Sequence, residues 1–159
     1  MKKTLLTSII VLLFAFSLKS QNYLTGVGLR LGTFNGFTVK HFVGSTSALE
    51  GLLSFRWSGF VITGLYEFQQ PVKNTKQLDW FVGGGAHIGF WNHSSYYRRP
   101  QDYEGTYTAI GFDFIIGLEY TFIDPPISLA IDWKPSFNLN DGYYWWGDGI
   151  ALTARYYFK

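Results

Sequence analysis

The chain has 159 residues, enough for one domain and too few for two substantial ones. Aromatic residues make up 20% of the chain, glycine contributes 18 residues and charged residues make up only 15%. This composition is unlike that of a helical bundle, which is rich in Ala, Leu, Glu and Lys, and it favours strands joined by tight turns. Because the chain has no cysteine, disulfides and thiolate metal sites are both excluded.

The first twenty residues have the pattern of a secretory signal peptide. Lys2 and Lys3 precede a mostly apolar run that extends to Leu18, and this run is too short for a transmembrane helix. We predict a signal peptide over residues 1–20 and one mature domain over residues 21–159. Without the signal the chain keeps 10 basic and 11 acidic residues, a balance that argues against a nucleic-acid partner.

Apolar residues alternate with a period of two along the mature chain, most clearly from Ile110 onward, as they do in strands with one apolar face. We predict eight strands of about ten residues each, a length that crosses a bilayer when the strand is tilted. The strands are Tyr23–Gly32, Phe37–Val43, Ala48–Trp57, Phe60–Gln69, Asp79–Trp91, Ile110–Phe122, Ile127–Asn138 and Ile150–Phe158. An even number of strands with both ends on one side suits a closed antiparallel barrel.

The polar face of these strands carries small residues, such as Gly26 and Gly117, and ten charged residues. The charged residues are Arg30, Lys40, Glu50, Arg56, Glu67, Asp113, Glu119, Asp132, Lys134 and Arg155. In a soluble lipocalin-like barrel the apolar face would turn inward, but eight strands enclose too little room for its aromatic rings. The pattern therefore favours an all-β fold, an eight-stranded antiparallel transmembrane up-and-down barrel with a polar interior in which the charges pair.

The distribution of the outward residues supports this interpretation. Aromatic residues gather towards strand ends, as in the girdles of membrane barrels, and mid-strand outward positions such as Leu129 are aliphatic. Pro135 falls on the outward face and removes a donor from the ladder, so we expect a break or bulge there.

The last hairpin predicts one interior ion pair. If Asn138 pairs with Gly149, Asp132 lies opposite Arg155 and both side chains point inward.

The hairpin between the third and fourth strands predicts a like-charge contact. If Trp57 pairs with Phe60, Glu50 lies opposite Glu67, and this pair needs Lys40 or a proton nearby.

Three segments resemble the small OmpA/OmpX-like outer-membrane barrels. They are Gly83–Trp91 (GGGAHIGFW), Leu129–Pro135 (LAIDWKP) and Ala151–Phe158 (ALTARYYF). The last is similar to the assembly signal of that family, although Lys159 follows the aromatic residue. The resemblance covers the mature chain and implies insertion by the barrel assembly machinery and contact with outer-membrane lipids.

Two segments between strands are candidates for surface binding, because aromatic and Arg side chains can contact sugars or the phosphates of lipopolysaccharide. Their candidate residues are Tyr96, Tyr97, Arg98, Arg99, Tyr143, Tyr144, Trp145 and Trp146.

Catalytic and metal-binding signals are weak. His41, His87 and His93 have no metal spacing, no G-x-S-x-G motif is present, and we expect neither cofactor nor catalysis. The function that the sequence favours is a non-catalytic outer-membrane barrel with a closed charged lumen, serving envelope integrity or surface contacts. The alternatives are porin-like transport through a small gated channel and a lipid A-modifying enzyme that uses His41.

Overall fold

The computed structural model describes residues 24–56, 59–91, 107–140 and 144–158. The predicted signal peptide lies outside these ranges. Within the described part of the chain, no helix is long and apolar enough to cross a membrane.

The structure is built from ten strand segments. In chain order they are β1 (Thr25–Gly32), β2 (Asn35–Phe42), β3 (Ser47–Arg56), β4 (Gly59–Pro71), β5 (Leu78–Trp91), β6 (Tyr107–Thr121), β7 (Ile127–Trp133), β8 (Ser136–Asn138), β9 (Tyr144–Trp146) and β10 (Ile150–Phe158).

The segments form one closed antiparallel sheet. Consecutive segments from β1 to β6 pair as hairpins, and β1 pairs with β10 to close the sheet. β7 and β8 both pair with β6 in one register, and β9 and β10 lie in turn against β8 and β7. Each of these two pairs of segments is therefore one strand, and the prediction of an eight-stranded antiparallel barrel is confirmed.

The expected break at Pro135 is present and coincides with a bulge. Trp133 pairs with Ile150 and Ser136 pairs with Trp146, so three residues, Gly147–Gly149, lie opposite two. One extra residue in a strand reverses which side chains point inward beyond it.

Both predicted hairpin registers are wrong. In the last hairpin Asn138 pairs with Tyr144 and not with Gly149. The paired region extends closer to the turn than predicted, and the bulge at Gly147–Gly149 lies within it. As a result Asp132 lies opposite Ala151, and Arg155 lies opposite Ser128.

In the hairpin of β3 and β4 the paired ends are Arg56 and Gly59, two residues from the predicted register. Glu50 therefore lies opposite Leu65, and Glu67 lies opposite Ala48. A shift of two residues keeps every side chain on its expected face, so the inward direction of both glutamates is unchanged.

The two faces of the barrel have opposite polarity. Large apolar side chains are exposed along the outer face of every strand, for example Leu29, Ile62, Phe114 and Leu152. The inner face buries polar and charged side chains together with apolar ones, which include a cluster of Leu52, Leu65, Phe81, Ile115 and Ala130. Only a hydrocarbon solvent around the barrel makes this arrangement favourable, as in transmembrane barrels.

Inward glycines make room for aromatic rings inside the barrel. A Cβ on Gly26 would lie 2.6 Å from the Tyr157 ring, and one on Gly117 would lie 2.5 Å from the Phe81 ring. Aromatic side chains thus enter the narrow lumen where the neighbouring strand has no side chain.

We expect Ile116→Arg to cost about 2–4 kcal/mol of folding free energy, because Ile116 is 52% exposed near the middle of β6 and faces hydrocarbon. Reversible unfolding in lipid vesicles measures this cost. The matched control is Ile123→Arg, in the turn after β6, where the side chain is 78% exposed and we expect about 0–1 kcal/mol. Equal costs at the two positions would contradict the orientation of β6.

Candidate functional site: the charged interior

The ten charged residues of the polar face divide into nine buried side chains and one at an opening of the barrel. The buried set is Arg30, Lys40, Glu50, Glu67, Asp113, Glu119, Asp132, Lys134 and Arg155. Arg56 is the tenth, and its guanidinium pairs with the more exposed carboxylate of Asp148 at 2.6 Å. We call the end of the barrel with Leu24 and Phe158 the terminal end, and the opposite end, where β5 stops at Trp91, the loop end.

Five of the buried charges form the terminal-end cluster, which consists of Lys40, Glu50, Glu67, Glu119 and Arg155. The Lys40 ammonium lies 2.8 Å from a Glu67 oxygen and 3.0 Å from a Glu119 oxygen. Arg155 contacts Glu119 at 3.2 Å and also pairs with Glu50. The cluster joins five of the eight barrel strands across the lumen, because its members come from β2, β3, β4, β6 and β10.

Neutral donors complete the hydrogen bonds of Glu119. The Ser128 hydroxyl donates at 2.5 Å and the Tyr157 hydroxyl at 2.8 Å to the same oxygen. Charged groups with so many donors are held firmly in a dry interior. Ser128 and Tyr157 were not among the predicted site residues, although both lie on the inward face of their strands.

Arg30 and Asp132 form a separate buried ion pair. The predicted partner of Asp132 was Arg155. This prediction is wrong, because Asp132 lies opposite Ala151 in the last hairpin, four residues from Arg155. Arg30 reaches Asp132 from β1, on the far side of β10, and Arg155 is instead engaged by Glu50 and Glu119.

A second cluster surrounds Asp113 nearer the loop end. Its carboxylate accepts hydrogen bonds from Lys134 and Ser136, both at 2.5 Å, and lies 2.7 Å from Nδ1 of His87. The other ring nitrogen of His87 lies 2.8 Å from the side-chain oxygen of Asn138. His87 is therefore part of the interior network.

An aromatic cap closes the lumen at the loop end. It consists of Phe34, Trp91 and Trp146, packed with Val61 and Ala109. Trp146 lies between Phe34 and Trp91, with ring centroids 5.8 and 5.6 Å away, and stacks on His87. The Trp91 indole donates a hydrogen bond of 3.0 Å to the carbonyl of Arg56.

The prediction that Trp146 belongs to a surface loop is wrong, because Trp146 lies in β9. It is only 7% exposed and points into the barrel, because the bulge at Gly147–Gly149 reverses the inward face of β9 relative to β10. Trp145 is 50% exposed and points outward. Of the other candidates, Tyr144 begins β9, whereas Tyr96, Tyr97, Arg98, Arg99 and Tyr143 lie outside the described residues.

His41 lies on the outside of the barrel near the terminal end. Its Nδ1 is 2.8 Å from the hydroxyl of Thr25 on the neighbouring strand β1. Thr25 was not among the predicted site residues. A hydroxyl beside an imidazole is the contact on which an enzymatic role for His41 would depend.

The arrangement as a whole is a filled barrel with closures at two levels. The aromatic cap lies at the loop end, and the terminal-end cluster spans the lumen near the other end. Among the described residues, no group of three or more His, Asp or Glu is placed to hold a metal ion.

Comparison with known proteins supports the fold. No protein-family model and no curated protein matches the sequence. A solved structure that is similar to this chain is the N-terminal β-barrel domain of Pseudomonas aeruginosa OprF, with a TM-score of 0.63 and 13% sequence identity. The similarity covers 88% of this chain and 100% of that domain.

Closed topology, inverted polarity and this similarity together define the class of protein. The chain is an eight-stranded transmembrane β-barrel. Its fold is that of the OmpA-like outer-membrane barrels, as the sequence resemblance implied.

We expect Arg30→Ala to cost about 3–5 kcal/mol of folding free energy, because it leaves the Asp132 carboxylate buried without its cation. The double variant Arg30→Ala/Asp132→Ala should cost less than Arg30→Ala, and a double-mutant cycle of unfolding free energies measures the difference.

The matched control for this cycle is the part-exposed pair of Arg56 and Asp148, for which we expect a coupling of about 0–1 kcal/mol. Equal coupling for the buried and the part-exposed pair would contradict a dry interior.

Proposed function

We propose that this chain is a non-catalytic integral protein of the bacterial outer membrane that contributes to envelope integrity or surface contacts. The observation that carries the proposal is the inverted polarity of the closed barrel, with an apolar outer face and an interior of buried ion pairs. Such a body is stable only when hydrocarbon surrounds it, and bacterial barrels of this kind reside in the outer membrane.

The partners in this proposal follow from the same surface. Outer-membrane lipids and lipopolysaccharide would contact the apolar outer face and the aromatic residues near its ends, such as Phe68, Trp80 and Trp145. The barrel assembly machinery would insert the chain, and the strand β10 with its terminal Phe158 is the element that resembles an assembly signal.

We expect the protein to fractionate with outer membranes and to migrate faster on denaturing gels before boiling than after it. A barrel closed by its first and last strands resists detergent until it is heated, so the unheated form stays compact. Separation of inner and outer membranes followed by the paired gels measures both properties. Recovery from the soluble periplasm without detergent would contradict the proposal.

Transport through the lumen is the first alternative, and the buried interior argues against it. An ion that crossed the barrel would have to pass both the aromatic cap and the terminal-end cluster. Separating Arg155 from Glu50 and Glu119 inside a dry lumen would leave charges without partners, at a high cost.

We therefore expect the purified protein to show no steady conductance in planar bilayers. The variant Arg30→Ser/Asp132→Ser should also be silent, because it widens the middle of the lumen while both closures remain. Single-channel recording tests the two proteins side by side. A large, steady conductance of the unmodified protein would make transport the leading function.

The enzymatic alternative depends on the contact between His41 and Thr25 on the outer face. A hydrolase that acts on lipid A or phospholipid would use the imidazole as a base beside the hydroxyl. Release of fatty acid from lipopolysaccharide by the unmodified protein, and its loss in His41→Ala, would favour an enzyme over our proposal.

A further inference from the structure

The terminal-end cluster contains one more anionic side chain than cationic ones. Glu50, Glu67 and Glu119 supply three carboxyl groups, whereas Lys40 and Arg155 supply two cations. All five side chains are buried. An uncompensated charge in a dry interior is strongly unfavourable, so the cluster requires one more positive charge.

The hydrogen bonds of the cluster show which carboxyl groups have oxygens without a partner. Glu119 is saturated by Lys40, Arg155 and neutral hydroxyls. One oxygen of Glu50 accepts from Thr38 and Arg155, but its Oε2 has no hydrogen-bond partner.

Glu67 is the least satisfied of the three carboxyl groups. It lies close to the Lys40 ammonium, yet neither of its oxygens has a hydrogen bond of good geometry. The unsatisfied oxygens of the cluster therefore belong to Glu50 and Glu67.

These two carboxyl groups are diagonal neighbours on the inner face of adjacent strands. Glu50 pairs with Leu65, which is two residues from Glu67, and Glu67 pairs with Ala48, which is two residues from Glu50. Long side chains at such diagonal positions can reach each other. One hydrogen between them would satisfy an oxygen on each and remove the excess negative charge.

We propose that the terminal-end cluster is a proton-binding site in which Glu67 keeps a proton at neutral pH and donates it in a hydrogen bond to Oε2 of Glu50. Glu50 remains the anion, because Arg155 and Thr38 both donate to its other oxygen. The O–H bond forms on Glu67 when its carboxylate takes a proton from a hydronium ion, whose own O–H bond breaks to release a water molecule.

The surrounding groups fit a proton better than a metal ion. The side chains that face the pair are Lys40 and Thr38 from β2, Arg155 and Tyr157 from β10, and Glu119 from β6. Two of these are cations, which would repel a metal ion. Gln69, also from β4, is engaged by Lys40 and Asp79.

Infrared difference spectroscopy tests the proposal on the whole protein in a detergent without ester groups. We expect a protonated-carboxyl C=O band at pH 7 that shifts in D₂O and is lost in Glu67→Gln. The amide of this variant can donate to Glu50 in place of the acid, so we expect it to fold. Asp79→Asn, which alters a carboxyl group at the terminal end outside the pair, should keep the band.

Absence of the band from the unmodified protein would overturn the proposal. A band that persists in Glu67→Gln and disappears in Asp132→Asn would overturn it as well, because the proton would then belong to the other ion pair.

The pH dependence of unfolding provides a second readout. A glutamate in the unfolded chain loses its proton above about pH 4.3, so the folded protein would bind one more proton than the unfolded chain at neutral pH. Stability should then decrease as the pH rises, and the unfolding equilibrium constant should increase by up to about tenfold per pH unit. Glu67→Gln should lack this component, and identical pH profiles for the two proteins would overturn the proposal.

Discussion

The structure depends on the pairing of charges inside a barrel too narrow to hydrate them. Eight strands leave room for little more than one layer of side chains, so an ion in the lumen has to find its partner on a neighbouring or facing strand. Arg155 contacts Glu50 and Glu119, which come from strands on different sides of the lumen. Contacts of this kind fix how the strands face one another, because a slip of one residue would move each charge to the lipid side.

Large and small side chains complement one another inside the barrel, as opposite charges do. Several inward aromatic rings lie where a nearby glycine leaves room, as for Trp91, which packs against Gly89 of its own strand and Gly59 of β4. Together with Phe34 and Trp146, this ring makes an apolar layer beside a polar one, and stacking of Trp146 on His87 joins the two. The closure of the loop end therefore rests on packing, whereas the closure of the terminal end rests on ion pairs.

The sequence was sufficient to predict the strands and the direction of their side chains, because a period of two is an intrinsic property of a strand. It was not sufficient for the register, which depends on how many residues each turn uses. The pairing of Asp132 with Arg30, and not with Arg155, shows the consequence. Trp146 was wrongly assigned to a loop because the last hairpin continues to Tyr144, and the extra residue of the bulge turns the Trp146 side chain inward. The only sequence signals for that bulge were Pro135 and the glycines near residue 148.

A lumen whose charged groups are nearly all engaged with one another has little capacity left to recognise a solute. Asp113 alone is contacted by Lys134, Ser136 and His87, and any ligand would have to replace those contacts with equally good ones. Specific recognition is easier at the ends of the barrel, where Arg56 and Asp148 are part-exposed and Trp145 points outward. The interior then serves as a rigid support. Its buried ion pairs hold the strands in one register, because any other register would leave charges without partners. The loops that connect the strands are not bound by this constraint.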